Sequence, residues 1–214
     1  YGTSADILGA VIEIASGMPF GEFLQKELFD PLSMNDTGFW IPADKQSRRV
    51  LTYEPAADGT LKEFPTTNLD ISYRMDKAPA FESGGAGLAS TLPDYARFAA
   101  MLIHGGSLDG HTILKERTVQ YMTNGQLLPW QQEDMWRSWD GLTGYSYGNL
   151  LRVCKDPGMA PAIATRGEYG WDGWLGPYFS NHPAEGLTIL LGMQKRDAGT
   201  TSLTRKLRNV ILTE

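Results

Sequence analysis

The 214-residue chain holds a single cysteine, Cys154. No disulfide can form within it, and cysteine usage leaves the cellular compartment undetermined. Histidine is nearly as scarce. His104, His111 and His182 are scattered without metal-ligand spacing, so neither a metal nor any other cofactor is expected. Positive charge is neither abundant nor clustered. With a formal net charge of −6 and no Lys/Arg patch, a nucleic-acid partner is not expected. No apolar run approaches the ~20 residues of a membrane span, and no signal peptide is visible. The chain lacks an initiator methionine, beginning at Tyr1 and running almost at once into a helical pattern. An interior piece of a longer protein is therefore the expectation. The last absence concerns chemistry. A Ser-x-x-Lys pair puts an amine one helical turn from a hydroxyl, where it can accept the proton. None of the serines has a lysine three residues on. Thr112-Ile113-Leu114-Lys115, at a turn, is the one hydroxyl-x-x-Lys match, and it reads as accidental.

What is present is an ordinary globular composition, 42% hydrophobic and 21% charged, sufficient for a sizeable core. Thr3 or Ser4 can cap a first helix, with Asp6 as capping-box partner to Thr3. Ile7, Leu8, Val11, Ile12 and Ala15 recur at helical spacing, and Gly17 stops the run. Burying the four larger side chains would contribute roughly 6–12 kcal/mol at most, so the stripe needs a partner surface. Pro19 opens a second helix, and Asp30-Pro31 ends it. From about 32 to 81 the pattern weakens into an irregular lobe. Ser83-Gly84-Gly85-Ala86-Gly87 must turn tightly or lie against other backbone. Helices are predicted from Thr91 to Gly105 and over about Lys115–Thr123. From about 144 to 214 the period switches to two. Four strands are predicted (Tyr145–Val153, Thr165–Trp171, Trp174–Ser180, Leu187–Gln194), then a final helix over about Thr200–Leu212. Short turns make the sheet antiparallel, and the fold class is α+β.

Two stretches stand out chemically. Gly144-Tyr145-Ser146-Tyr147-Gly148 matches the nucleophile-elbow pattern. An elbow requires a strand, a strained turn and then a helix. Asn149 to Val153 continue a strand instead, and the one downstream histidine, His182, sits beside Pro183 at a turn. The strand reading is favoured. The stretch Glu168 to Phe179 is dense in aromatics, with Gly170, Gly173 and Gly176 removing side-chain bulk at every third position. It reads either as a bulged hairpin with a packed aromatic face or as a place where backbone approaches a ligand.

Four segments, in order, resemble the serine β-lactamase-like superfamily, which includes class C β-lactamases, DD-peptidases and family VIII carboxylesterases. Tyr1-Gly2-Thr3-Ser4 and the helix after it resemble the Tyr-containing second motif. Glu27 to Phe39 is similar to the "F-x-P-L-G-M-x-D-T-x-F" segment. Ser83 to Thr91, followed by Asp94 to Phe98, resembles "G-G-x-G-L-x-S-T-x-x-D-x-x-R-F". Tyr169 to Phe179 is similar to the third motif, where many esterase-like members carry Trp-x-Gly in place of Lys-Thr-Gly. The resemblance covers nearly the whole chain. It implies a β-lactamase/transpeptidase-like fold, an antiparallel sheet flanked by helices, incomplete at its N-terminus, with 1–214 as the carboxy-terminal portion of one domain.

The resemblance also implies roles. A serine in Ser-x-x-Lys attacks an ester or amide carbonyl and becomes acylated, and Tyr1 takes the proton-transfer role of the second-motif tyrosine. A free tyrosine has a pKa of about 10, and a nearby ammonium lowers it. The family supplies that charge from a lysine this chain lacks. The N–H of Trp174, just after the third-motif glycine Gly173, is half of the implied oxyanion hole, on an edge strand lining the cleft. Trp171 stands where β-lactamases have the lysine that pairs with a β-lactam carboxylate. Asp172 adds a charge that would repel one. Thr3 stands where class C enzymes have asparagine, though its hydroxyl can still donate a hydrogen bond. All three departures favour neutral ester-like substrates over penicillins. The implied protein is a bacterial, esterase-like serine hydrolase of the cytoplasm or periplasm. Its partners would be a small ester or amide substrate and an N-terminal segment or second chain carrying Ser-x-x-Lys. This chain alone is then expected not to form an acyl-enzyme. The alternatives are an inactive penicillin-recognising or regulatory binding protein of the same fold, an α/β-hydrolase using Ser146, or an interaction domain whose unpaired strands are capped by a partner.

Overall fold

The computed structural model describes residues 3–64, 75–198 and 202–213. In chain order its elements are α1 (Ser4–Ser16), α2 (Phe20–Leu24), β1 (Tyr53–Pro55), β2 (Leu61–Glu63), α3 (Leu92–Ile103), β3 (Ser107–Leu108), β4 (His111–Thr112), α4 (Glu116–Met122), α5 (Pro129–Ser138), β5 (Tyr145–Gly148), β6 (Leu151–Cys154), β7 (Tyr169–Asp172), β8 (Tyr178–His182), β9 (Leu187–Leu191) and α6 (Ser202–Ile211). They form two compact units. The first comprises Tyr1–Phe98 and Leu108–Ile113, the second Ala99–Ser107 and Leu114–Glu214. None of the described helices is by itself long and apolar enough to cross a membrane.

The first unit is built on Phe20, Phe29, Leu32, Met34 and Phe39, all buried, with the rings of Phe20 and Phe39 5.5 Å apart. Its polar ties join the segments singled out by the sequence. The Asp94 carboxylate accepts from the Asp36 N–H at 2.7 Å and the Thr37 hydroxyl at 2.9 Å, and Gly38 bridges Ala89. Asp6 accepts from the Ser83 hydroxyl at 2.7 Å and the Gly85 N–H at 3.3 Å. At Gly84 an added Cβ would lie 2.3 Å from the Ala5 carbonyl oxygen, so the glycine-rich run does lie against other backbone.

Two expectations for α1 fail. Thr3 occupies the N-cap position but makes no side-chain capping bond, because its backbone is already helical, at φ −76° and ψ −1°, rather than extended, and the Asp6 carboxylate of the expected capping box is committed to Ser83 and Gly85. The apolar stripe is not covered either. Ile7, Leu8, Val11 and Ala15 are exposed, Ile12 is half-buried, and Gly9 alone is buried in the helix. The described residues supply no partner surface, so most of the burial energy expected of this stripe is not realised.

The second unit holds an antiparallel meander in the order β5-β6-β7-β8-β9. Five strands replace the four expected, because the long first one folds into a hairpin. Asn149 and Leu150 both take positive φ, 52° and 66°, the backbone of a two-residue type I′ turn. Asparagine tolerates that conformation, but a leucine at the second turn position conceals it in the sequence. The segment that carries Trp130 and Trp136 is the helix α5. Val153, Cys154, Tyr169, Phe179 and Ile189 of the sheet are buried, as are Ala99, Met101 and Leu102 of α3. The Asn181 amide donates to the Ala99 carbonyl at 2.9 Å. The last helix, α6, sends Arg208 inward to the sheet, where it meets Tyr178 and Glu168.

Candidate active site

The third-motif residues lie on β7 and the turn after it. Strand β7 is the middle strand of the described sheet, not an edge strand as expected. Its pairing with β6 stops early, however. Only Tyr169 and Gly170 face β6, whereas all four residues through Asp172 pair with β8. Trp171 and Asp172 thus run past the end of their neighbour on one side. Gly170 is obligatory here, since a Cβ would lie 1.9 Å from the Phe179 carbonyl oxygen.

The turn that follows is tightly fixed. The Gly173 N–H donates to the Pro177 carbonyl at 2.9 Å, and the Gly176 N–H to the Gly173 carbonyl at 2.8 Å. Gly176 sits at φ +92°, and a Cβ there would meet the Met193 sulfur at 2.6 Å. Trp174 is gripped at two points. Its carbonyl accepts from the Ala198 N–H at 3.2 Å, and its indole N–H donates to Asp197 at 2.5 Å. Asp197 also bonds Arg196, and these two hydrogen bonds hold its carboxyl below the ordinary range.

Trp171 belongs to an aromatic cluster that the sequence reading did not assemble. Tyr147 meets it edge-on, with ring centroids 5.3 Å apart, and Trp139 lies 6.2 Å away. Trp139 is 58% exposed, so the cluster faces solvent at one end. Helix α5 is anchored beneath by Trp136, whose indole N–H donates to the Tyr145 carbonyl at 2.7 Å.

Asp172 departs from its expected role. Arg152 stands opposite Gly170 in the β6–β7 register, and its guanidinium donates to the Phe179 carbonyl at 3.5 Å. It meets Asp172 at 3.0 Å, with the two side chains only 5% and 8% exposed, and lies 4.9 Å over the Tyr178 ring. The carboxylate is paired inside the protein and presents no free charge to repel a substrate carboxylate. The signal was an arginine within the apolar run Leu150-Leu151-Arg152-Val153-Cys154. Such a buried cation demands a counter-charge.

Tyr1 is outside the described residues, and Thr3 is exposed in the first unit. Ser146 lies within β5, paired with Val153, where its buried hydroxyl accepts from the Leu127 N–H at 3.3 Å. It is a strand residue and not an elbow.

A triad-like arrangement also emerges that the sequence reading missed. The Ser180 hydroxyl is 2.9 Å from His182 Nε2, and His182 Nδ1 is 3.3 Å from Glu168. Glu168 also accepts from the Tyr145 hydroxyl at 2.6 Å and from Arg208 at 2.7 Å. Ser180, His182 and Glu168 are all essentially without solvent contact, so no substrate carbonyl reaches the hydroxyl. Burial lowers the His182 pKa and raises those of the Tyr145 phenol and the Cys154 thiol, the latter to about 12. This is a structural network of neutral donors around one ion pair, and the thiol is not a nucleophile.

Comparison with known proteins agrees with this architecture. Mycobacterium tuberculosis protein Rv1367c is 26% identical over 197 residues, covering 91% of this chain and 48% of its own length. The monacolin J acid methylbutanoyltransferase of Aspergillus terreus is 28% identical over 154 residues, covering 71% of this chain and 35% of its own length. A solved structure of a simvastatin synthase mutant, also from Aspergillus terreus, superposes with a TM-score of 0.82 at 24% identity, over 100% of this chain and 54% of that one. The chain thus spans about half the length of the first relative and a smaller part of the second. The relatives include acyltransferases, esterases and D-alanyl-D-alanine carboxypeptidases. The Beta-lactamase family profile matches residues 2–211, and the chain belongs to that family.

Proposed function

We propose that this chain is the carboxy-terminal portion of an acyl-transferring serine hydrolase acting on neutral ester-like substrates. The sequence contains no Ser-x-x-Lys, so the nucleophile is taken to lie outside it. In the proposed reaction the serine oxygen attacks the ester carbonyl carbon. Tyr1 relays the serine proton to the departing alcohol, and the acyl group stays on the serine. Water or an acceptor alcohol then attacks the acyl carbon, releasing acid or a new ester and returning the proton to the serine. The Trp174 N–H donates to the oxyanion in both halves, with Gly173 allowing close approach. Trp171, Tyr147 and Trp139 offer the substrate an apolar wall, and Thr3 contributes a hydroxyl.

The observation that carries this reading is the double anchoring of Trp174 by Ala198 and Asp197. An oxyanion donor is effective only when it is held in place before the charge develops. Trp171 at the lysine position adds to it, because it removes the cation a β-lactam carboxylate would require. Two measurements test the proposal. A protein joining this chain to a Ser-x-x-Lys segment should hydrolyse p-nitrophenyl butyrate and leave nitrocefin nearly intact. Faster turnover of nitrocefin would overturn the substrate assignment. The isolated 214-residue chain should not be labelled by a fluorophosphonate, and stoichiometric labelling would place the nucleophile within the sequence.

A further inference from the structure

A small cavity of about 30 Å³ lies in the second unit where α6 meets β5, β6 and β8. Its walls include three guanidiniums, Arg152, Arg205 and Arg208, together with Tyr145, Tyr178 and Thr204, and no carboxylate. It is large enough for a water-sized species or a monatomic anion. We infer that this cavity is a binding site for a single halide-sized anion.

The inference rests on donors and charge. Arg208 gives its Nη atoms to Glu168, the Tyr178 hydroxyl and the Ile163 carbonyl. Its Nε is buried with no acceptor among the described residues, and so is the Nε of Arg205. The Tyr178 oxygen accepts from Arg208 Nη1 at 2.9 Å, which leaves its own proton to point elsewhere. The Tyr145 proton is already given to Glu168. Buried donors without acceptors are costly.

The charge count points the same way. Arg208 is matched by Glu168 and Arg152 by Asp172. The ion-pair partner of Arg205 is Asp140, 3.8 Å away and 96% exposed, which compensates little inside the cavity. The walls therefore carry about one unmatched positive charge, partly hydrated because the Arg205 side chain is 34% exposed. A water molecule satisfies donors but leaves that charge. A monovalent anion satisfies both.

The test is to crystallise the chain from sodium bromide and collect data at the bromine absorption edge. An anomalous peak in the cavity, within hydrogen-bonding reach of the Arg208 and Arg205 Nε atoms, is expected. In solution, bromide or chloride at tenfold its Kd should raise the thermal midpoint by about 3–6 °C. A rise in sodium sulfate at equal ionic strength acts through exclusion from the surface and should be the same in the original chain and in Arg205→Gln. Arg205→Gln, at a partly exposed position, should fold and lose the rise in bromide. Cavity density with no anomalous signal overturns the inference. So does a rise in bromide unchanged in Arg205→Gln.

Discussion

Replacing Arg152 by methionine should destabilise the second unit severely, and replacing Asp172 as well should restore much of the loss. The pair is 3.0 Å apart, with side-chain exposures of 5% and 8%, so solvent screens it little. Arg152→Met keeps most of the volume and removes the charge. Asp172 then remains buried without its counter-charge, which costs about 3–5 kcal/mol. The contact of the guanidinium with the Tyr178 ring is lost in the same step and is contained in that figure. For a chain of this size about 2–4 °C of thermal midpoint corresponds to each kcal/mol, so the midpoint should fall by about 6–20 °C. The double variant Arg152→Met/Asp172→Asn leaves no buried charge at either position. It should recover at least about 2 kcal/mol, which a double-mutant cycle reads directly. Tryptophan fluorescence suits the assay, because Trp130, Trp136, Trp139, Trp171 and Trp174 all belong to the second unit and Trp40 alone to the first. A loss below about 1 kcal/mol for Arg152→Met, the range of an exposed pair, would refute the reasoning. So would a coupling energy near zero.

Four other positions carry further predictions. Gly170→Ala places a Cβ 1.9 Å from the Phe179 carbonyl oxygen, whereas Gly167→Ala, at φ +86°, meets nothing within 4 Å. Urea unfolding should show about 3 kcal/mol or more lost at Gly170 and about 1–2 kcal/mol at Gly167, and equal losses would contradict the close approach of β7 to β8. Ser146→Ala removes one long hydrogen bond from the Leu127 N–H. It should cost about 0.5–1.5 kcal/mol and leave ester hydrolysis by the joined protein unchanged, whereas a hundredfold loss would restore Ser146 as nucleophile. Burial lowers the His182 pKa. Below the unfolded value of about 6.5 the unfolded chain therefore binds a proton that the folded chain refuses. Stability should fall as pH drops from 7.5 to 5.5, approaching about 1.4 kcal/mol per pH unit at the acid end. His182→Gln should flatten that slope by one proton, and an identical slope in the variant would mean that His182 is not held neutral.

Much of the fold was legible because the motif segments carry their own physical constraints. Gly84 and Gly170 are spaces that neighbouring backbone occupies. What was hidden depended on contacts distant in sequence. Asp6 looked like a cap because a local partner stood three residues away, but Ser83 and Gly85 compete for it. Asp172 looked like a free charge on a substrate wall because nothing near it in sequence is cationic, and its partner Arg152 arrives only through the sheet register. The hairpin at Asn149-Leu150 was concealed for the opposite reason. A local conformation, two successive positive φ values, is held against the propensity of leucine. These misses share a direction. Sequence reading gives a charged or polar residue to the ligand or to its nearest neighbour, whereas the sheet commits it to the interior. The surviving site is correspondingly apolar and backbone-based, with Trp171 and Tyr147 as walls and Trp174 fixed by Asp197 and Ala198. A wall of that kind discriminates by shape and neutrality more than by charge, and the proposed action on uncharged esters rests on that property.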